Sequence, residues 1–394
     1  MEVIKTQVGI IGAGPAGLVL SKYLHKHGID NVLLESRSRD YVEKRLRAGL
    51  LEQNTVDMLK YLGVADNLLA RGLEHHGVQF CFNGKRVHIP FDELTGGRHI
   101  TIYGQRMVVS DLIANLVDTC RKPVIFNSKA HLISGLEEDR PIIHFKSGKE
   151  EKELHCDYVA ACDGYHGVGR KTLPTHTFNT HRIEYPFCWL GILAETPPSS
   201  DELIYAYHDN GFALLSYRSP TISRLYLQVD KKDHLENWPD DRIWEELKTR
   251  LGTEGFVLNT GKIIDKSITP MRSYMIDHMQ YRNLFLAGDA AHIVPPTGGK
   301  GLNLAVADVK WLGEGLIAKY ESGNDSLLGQ YSKNALRRVW RAQHFSNFMT
   351  KQFHKIHKEG SYDYHLQKAQ FDYIANSRAM RATIAENYVG LKEI

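Results

Sequence analysis

The feature that most constrains this chain is Gly12-Ala13-Gly14-Pro15-Ala16-Gly17, set between an apolar run at Gln7 to Ile11 and a helical pattern from Pro15 to His27. A second apolar run, Asn31 to Glu35, follows at once. Strand, glycine-rich turn, helix and strand make a βαβ unit of a Rossmann-like α/β fold. Gly12 permits the tight turn, Gly14 lets a pyrophosphate approach the backbone, and Gly17 lets the helix lie close to the sheet. The N–H groups at the helix start favour phosphate, and Glu35, about 20 residues on, is placed to accept hydrogen bonds from a ribose. These residues together predict an adenine dinucleotide but do not separate NAD from FAD.

A second motif comes late. Leu284-Phe285-Leu286-Ala287-Gly288-Asp289 continues through Pro295-Pro296-Thr297-Gly298-Gly299-Lys300-Gly301-Leu302-Asn303. Alone it would pass for a structural strand, turn and helix with a capping aspartate. Paired with the upstream fingerprint, it suggests that Asp289 takes the hydroxyls of a ribityl chain. The N–H groups from Gly298 through Lys300, Gly301, Leu302 and Asn303 would then face the polar edge of an isoalloxazine ring. Between the two lies Cys162-Asp163-Gly164, after an apolar strand from Tyr158. The strands at 158–162 and 284–287 can join the first sheet, which makes the FAD-binding domain discontinuous in sequence.

From about Phe187 to Ile268 the chain changes to β-rich runs, among them Phe212 to Arg218 and Arg224 to Val229, joined by a turn with Pro220. The expected division is 1–179 for the FAD-binding domain and 180–271 for a mostly antiparallel β substrate domain. Residues 272–394 complete the first domain and form a C-terminal helical region, where Leu312, Leu316 and Tyr320 share a face. The 49 Lys plus Arg against 46 Asp plus Glu leave a net charge of +3, which points to neither nucleic acid nor a membrane surface. Five cysteines without a CxxC pair suggest reduced thiols in a cytoplasmic protein and no metal site. No run reaches the ~18 apolar residues of a membrane span, and no signal peptide is expected.

Within the β-rich region, Leu214, Ser216 and Arg218 alternate onto one strand face, and Arg224 and Tyr226 share a face of the next. A guanidinium on an apolar strand needs a counter-charge. Spacing alone favours an internal salt bridge, and a bound planar carboxylate is the other solution.

The order GxGxxG, DG, GD resembles the class A flavoprotein aromatic hydroxylases. Within them, Ile204-Tyr205-Ala206, Gly211-Phe212-Ala213-Leu214 and the Ser216/Arg218/Tyr226 set are similar to the p-hydroxybenzoate hydroxylase branch. So are Arg45-Leu46-Arg47-Ala48-Gly49, Tyr103-Gly104-Gln105 and Ala385 to Gly390, so that the likeness runs from residue 6 to residue 391. The resemblance implies that Ser216, Arg218 and Tyr226 hold a substrate carboxylate, and that Tyr205 and Tyr388 form a pair at its phenol. The backbone near Pro296 faces that phenol, and His75, whose neighbour is His76, lies near the outlet of a proton relay. It also implies FAD, O2 and NAD(P)H, with 4-hydroxybenzoate converted to 3,4-dihydroxybenzoate through a flavin C4a-hydroperoxide. Substrate binding would gate flavin reduction.

Arg45, Arg47, Gln105, His166, Arg170 and Arg272 match family positions tied to the flavin or the pyridine nucleotide. The latter has no second fingerprint to bind and is expected in a surface groove, near Arg37 and Tyr41. Arg37 and Arg39 could accept a 2′-phosphate, but Ser36 stands where the family carries arginine, so use of both NADH and NADPH is expected. The resemblance further implies a homodimer, with the C-terminal helices as the candidate interface. Competing readings are a hydroxylase of another phenolic acid, a flavin-dependent dehydrogenase without oxygen insertion, and a non-catalytic FAD-binding sensor.

Overall fold

The computed structural model describes residues 2–45 and 49–391. Its first sheet has six strands, in the order Gln280–Tyr281, Leu284–Leu286, Tyr158–Ala161, Val8–Ile11, Asn31–Leu34, Val124–Ile125. All neighbours are parallel except the edge pair at 280–286. The central strands are buried on both faces, which is why they read as continuous apolar runs rather than alternating ones. The strands at 158 and 284 therefore do join the first strand's sheet, the former directly beside Val8–Ile11 and the latter one place further out.

The turn after Val8–Ile11 shows why its glycines are needed. Gly12 has φ +102°, and a Cβ there would lie 2.5 Å from the carbonyl oxygen of Cys162. A Cβ on Gly17 would lie 2.0 Å from the Gly12 oxygen, so the helix Pro15–Lys26 touches the turn that precedes it.

The second large sheet has eight strands and is mostly antiparallel. Its spine is the long pair Thr180–Glu195 and Lys262–Ile276. Ile222–Asp230, Ala213–Ser219 and Leu203–Ala206 follow in turn. The sheet then recruits a hairpin from far upstream, Gly77–Phe82 with Lys85–Pro90, whose first strand runs parallel to Leu203–Ala206. No local pattern of residues signals this long-range pairing, or the separate four-stranded sheet that holds Glu2–Lys5.

Period-2 alternation sorts the large sheet's side chains to two faces. Leu190, Ile192, Ile204, Leu215, Leu225 and Leu227 pack with Ile243, Trp244 and Leu247 of the helix Asp240–Leu251. The opposite face carries Phe80, Trp189, Tyr205, Phe212 and Leu214, covered by Phe345, Met349 and Phe353 of Tyr331–Phe353 and by Tyr388 of Arg378–Val389.

Candidate active site

At the end of the first sheet an open cleft of about 450 Å³ is lined by Gly14, Glu35, Arg37, Tyr41, Arg45, Gln105 and Arg106, among others. Nothing lies within 4 Å of a Cβ built on Gly14, and the helix that starts behind it has no side-chain cap. Its first N–H groups are thus available to an anion. The buried Glu35 carboxylate accepts from the N–H of Ala13 and of Arg37, each at 2.8 Å, which ties the second strand's end to the glycine turn. Arg37 rests on the Tyr41 ring, 5.2 Å from its centroid. Arg39, by contrast, is spent: it forms two bonds to Asp118 (2.7 and 2.6 Å) and one to Glu43 (2.8 Å). Arg47 lies outside the described residues.

The other two motifs meet this cleft differently. Asp163 turns inward: one carboxylate oxygen accepts from the Gly169 N–H at 2.8 Å, while the other is buried without a partner among the described residues. Burial pushes its pKa up. Asp289 is exposed, on a turn whose Gly288 lies beside Ala16 of the first helix. That turn is pinned by Asp308, which accepts from the Gly288 N–H (2.9 Å) and pairs with His292 (2.6 Å).

Gly298 and Gly299 have φ +86° and +65°, conformations that favour glycine, and they lead into the 22-residue helix Gly301–Ser322. This helix also begins without a side-chain cap, so the N–H groups of Gly301, Leu302 and Asn303 lack intrahelical acceptors. The side chains there are committed elsewhere. Lys300 is buried against Glu52 (2.8 Å) and the Asn387 and Tyr388 carbonyls, and Asn303 bonds Leu50, Glu52, Thr55 and Gly299. Backbone, rather than Lys300 or Asn303 side chains, is what this loop offers a cofactor. An uncapped helix over an open glycine turn, a second uncapped helix and the ribose-height carboxylate fit FAD.

Below this loop lies the apolar face of the large sheet. Cross-strand register aligns Phe80, Tyr205, Leu214, Tyr226 and Gly191 in one row. Strand spacing sets Tyr205 and Tyr226 roughly 10 Å apart. At one end, the Tyr205 oxygen accepts from the Tyr388 O–H at 2.7 Å and the Gly298 N–H at 3.2 Å. Its own proton is left to donate to something else. Burial pushes both phenols up. Pro296 is exposed, and its carbonyl accepts from Gly299 N–H at 3.0 Å with one lone pair to spare.

At the other end stands Arg218, at a point where the ladder skips from Tyr217–Ser223 to Ser219–Ile222. Its charged neighbour is Arg224 and its hydrogen-bond partner is Tyr226; among the described residues no Asp or Glu pairs with it. Burial lowers its pKa. Burial would raise the Tyr226 phenol, but Arg224 and Arg218 overturn this and hold it below its ordinary value. Ser216 donates to the Arg224 carbonyl at 2.8 Å, which leaves its oxygen as a potential acceptor or rotor. The salt bridge that spacing favoured for Arg218 is absent among the described residues.

His75 is 1 % exposed, and among the described residues neither ring nitrogen has a hydrogen-bond partner. Burial, then His76, lowers its pKa to about 4. His76 is exposed and lies near Asp92 (3.6 Å) and Glu74 (3.8 Å). No direct hydrogen bond joins Tyr388 to His75. The remaining nucleotide candidates form a separate cluster: Arg170 and Arg272 lie over the Tyr165 ring at 4.4 and 4.2 Å, beside His166. Arg170 also donates to the Ala290 and Tyr165 carbonyls.

Residues 5–346 match the family model of the FAD binding domain. The p-hydroxybenzoate hydroxylase of Acinetobacter baylyi is 46 % identical over 99 % of this chain and 96 % of its own length. This chain belongs to the class A flavoprotein hydroxylases. A more distant relative, the 3-(3-hydroxy-phenyl)propionate/3-hydroxycinnamic acid hydroxylase of Escherichia coli, is 23 % identical over 83 % of this chain and 58 % of its own. Among solved structures, the p-nitrophenol 4-monooxygenase of Pseudomonas putida superposes over the full length of both chains, with TM-score 0.83 at 20 % identity. Aklavinone-11 hydroxylase, solved with FAD and aklavinone, gives 0.74 at 19 % identity, over 92 % of this chain and 72 % of its own.

Sequence reading missed several residues of this flavoprotein hydroxylase. Trp189 walls the pocket between Phe212 (5.2 Å) and Tyr226 (4.8 Å). Its indole N–H donates to His354, which is fully buried and stacked between Phe187 and Phe212. Asp308 and His292 had one faint signal, a charged and a titratable residue inside otherwise apolar stretches.

Proposed function

We propose that this flavin-dependent monooxygenase hydroxylates 4-hydroxybenzoate at the 3-position. The overall change is 4-hydroxybenzoate, O2, NAD(P)H and a proton to 3,4-dihydroxybenzoate, NAD(P)+ and water. The observation that carries this reading is Arg218, a guanidinium without a carboxylate partner among the described residues, on the same sheet face as the Tyr205–Tyr388 pair. A para-hydroxylated benzoate spans those two ends: its carboxylate neutralises Arg218 through paired hydrogen bonds, with Tyr226 and Ser216 beside it. Its phenol meets the free proton-donating side of Tyr205 and the Pro296 carbonyl.

Bound FAD supplies the redox chemistry that turns O2 and two electrons into an electrophilic oxygen for the ring. The protein's part is to orient the substrate and to move its proton. The aromatic ring attacks far better as phenolate than as phenol, so the phenolic proton must leave. Tyr388 donates to Tyr205, so proton release requires this bond to reverse: Tyr205 then donates to Tyr388 while its oxygen takes the phenol's proton, and Tyr388 passes a proton on towards His75. Burial keeps the His75 imidazole neutral, so a proton that reaches it is held only briefly and is handed on. The Gly14 turn, Glu35, Arg45 and Gln105 would hold the adenosine half of FAD, with Asp289 at the ribityl chain. The N–H groups at 298–303 would hold the ring edge. Asp163 would act by shaping the turn against Gly12.

Both pyridine nucleotides are proposed as donors, with Arg37 and Tyr41 near the adenosine end and His166, Arg170 and Arg272 as a second cluster. Five unpaired cysteines support a cytoplasmic setting. A homodimer through the C-terminal helices is supported by Tyr362, Leu366 and Tyr373, which are large, exposed and on one helix. The test is oxidation of NADPH and of NADH in air by FAD-loaded protein, with and without 4-hydroxybenzoate, with chromatography of products. Stimulation with one 3,4-dihydroxybenzoate per nucleotide is the expected result. Stimulation with peroxide alone makes 4-hydroxybenzoate an effector, and no stimulation refutes the assignment.

A further inference from the structure

His75 presents a physical problem that its own strand does not solve. A buried imidazole with no hydrogen-bond partner among the described residues has no polar contact to fix its ring orientation and is penalised whenever it carries charge. A proton cannot pass through it without a moment as imidazolium. The group that meets both difficulties is Tyr217. Its ring is stacked on the imidazole, with centroids 5.0 Å apart and planes at 28°. Tyr217 is itself held, because its hydroxyl donates to the Asp201 carbonyl at 3.1 Å. It also stands between Ser216 and Arg218 in the chain, so the same strand carries the proposed carboxylate site and this clamp.

The other polar groups around His75 do not perform this role. His76, the next residue, raises the cost of charging His75 and faces Glu74 and Asp92 instead. His99 faces Glu74, and Ile100, opposite His75 in the ladder, is apolar.

We propose that Tyr217 is a positioning residue for proton release, clamping the His75 imidazole in the receiving orientation and steadying it while it is charged. This rests on the hydroxylase reading above. In the step concerned, the phenolic O–H of the substrate breaks, its proton reaches a His75 nitrogen through Tyr205 and Tyr388, and it is then lost to bulk water. No other bond changes and no electrons move. An aromatic face within about 6 Å of a cation favours the charged form by roughly two- to fivefold at exposed sites and by more at a buried one such as His75, and loss of orientation adds to that.

The test is rapid mixing of FAD-loaded protein with 4-hydroxybenzoate in weakly buffered solution, with an indicator dye reporting proton release and absorbance reporting phenolate. Tyr217→Leu is expected to slow proton release at least two- to fivefold, with the dissociation constant of the ligand unchanged. Tyr217→Phe keeps the ring and is expected to release protons at the wild-type rate. Wild-type rates in both variants overturn the proposal. Equal slowing in both also overturns it, because the hydroxyl and its bond to Asp201, not the stacked ring, would then be responsible. Weaker ligand binding in Tyr217→Leu with an unchanged release rate assigns Tyr217 to the pocket and not to the relay. Absence of any proton release in wild-type protein that binds the ligand refutes the relay itself, and the proposal with it.

Discussion

Tyr388 donates its phenolic hydrogen to the oxygen of Tyr205 at 2.7 Å, and the Gly298 N–H converges on that same oxygen. With both approaches filled by donors, the Tyr205 proton must point away, into the pocket. Tyr205→Phe removes this switch and strands two buried donors. Hydroxylation should fall by about 10²-fold or more, the usual worth of a positioned acid–base group. Nucleotide oxidation stimulated by 4-hydroxybenzoate should continue and end in peroxide. Tyr388→Phe should lose less, because Tyr205 still reaches the phenol. The ratio of dihydroxybenzoate formed to nucleotide oxidised measures both.

Arg218 makes a complementary prediction about binding. Removing one partner of a desolvated charge pair costs about 2–5 kcal/mol, so Arg218→Ala should weaken 4-hydroxybenzoate by roughly thirtyfold or more. Arg218→Lys should recover only part of this, since an ammonium cannot present two parallel donors. Titration of the flavin absorbance with ligand provides the constant, and an unchanged value would remove Arg218 from the site.

His292 and Asp308 predict a pH dependence. Burial lowers the His292 pKa, but the Asp308 charge and hydrogen bond exceed that, so its folded value lies above its ordinary one. The pair therefore contributes stability that is fully present below the ordinary histidine range near ~6.5 and is lost as pH rises through the folded value. The melting temperature of the wild type should exceed that of His292→Gln most at low pH, and the gap should narrow as pH rises. Because Asp308 also holds the Gly288 N–H, Asp308→Asn should release FAD more readily on dilution.

The two arginines after Glu35 are not equivalent. Arg39 is engaged by Asp118 and Glu43, whereas Arg37 lines the open cleft. Arg37→Ala should raise the KM for NADPH by roughly tenfold, the worth of one charge-assisted hydrogen bond, with NADH little affected. Arg39→Ala should leave the NADPH to NADH ratio as it was.

Much of this site was legible before any coordinates, for a reason that applies to each part. The glycines at 12, 14 and 17 form a compact local pattern: Gly12 needs a positive φ, Gly17 must clear the Gly12 oxygen, and Gly14, which meets nothing in the chain, leaves room for a phosphate. Tyr205, Ser216, Arg218 and Tyr226 stood in a recognisable pattern, and strand alternation already put Ser216 and Arg218 on one face of their strand. The counter-charge of Arg218 was not legible, because it depends on which acids the fold brings near, and the described residues bring none. The fates of Asp163 and Lys300 were hidden for the same reason, since Gly169 and Glu52 are partners that spacing does not reveal. The hairpin beginning at Gly77 carried no local sign that it would lie beside Leu203–Ala206.

The six-stranded sheet takes neighbouring strands from residues 8–11, 158–161 and 284–286. A growing chain therefore makes the phosphate-binding turn at the outset yet lacks its far wall, with Asp289 and the loop at 298–303, until most of the polypeptide has been synthesised. Contacts of such sequence separation form late, after the entropy of long loops has been overcome. A nascent chain shorter than about three quarters of the full length should thus be unable to retain FAD, and capture of the cofactor marks the closing of this sheet rather than the making of its first turn.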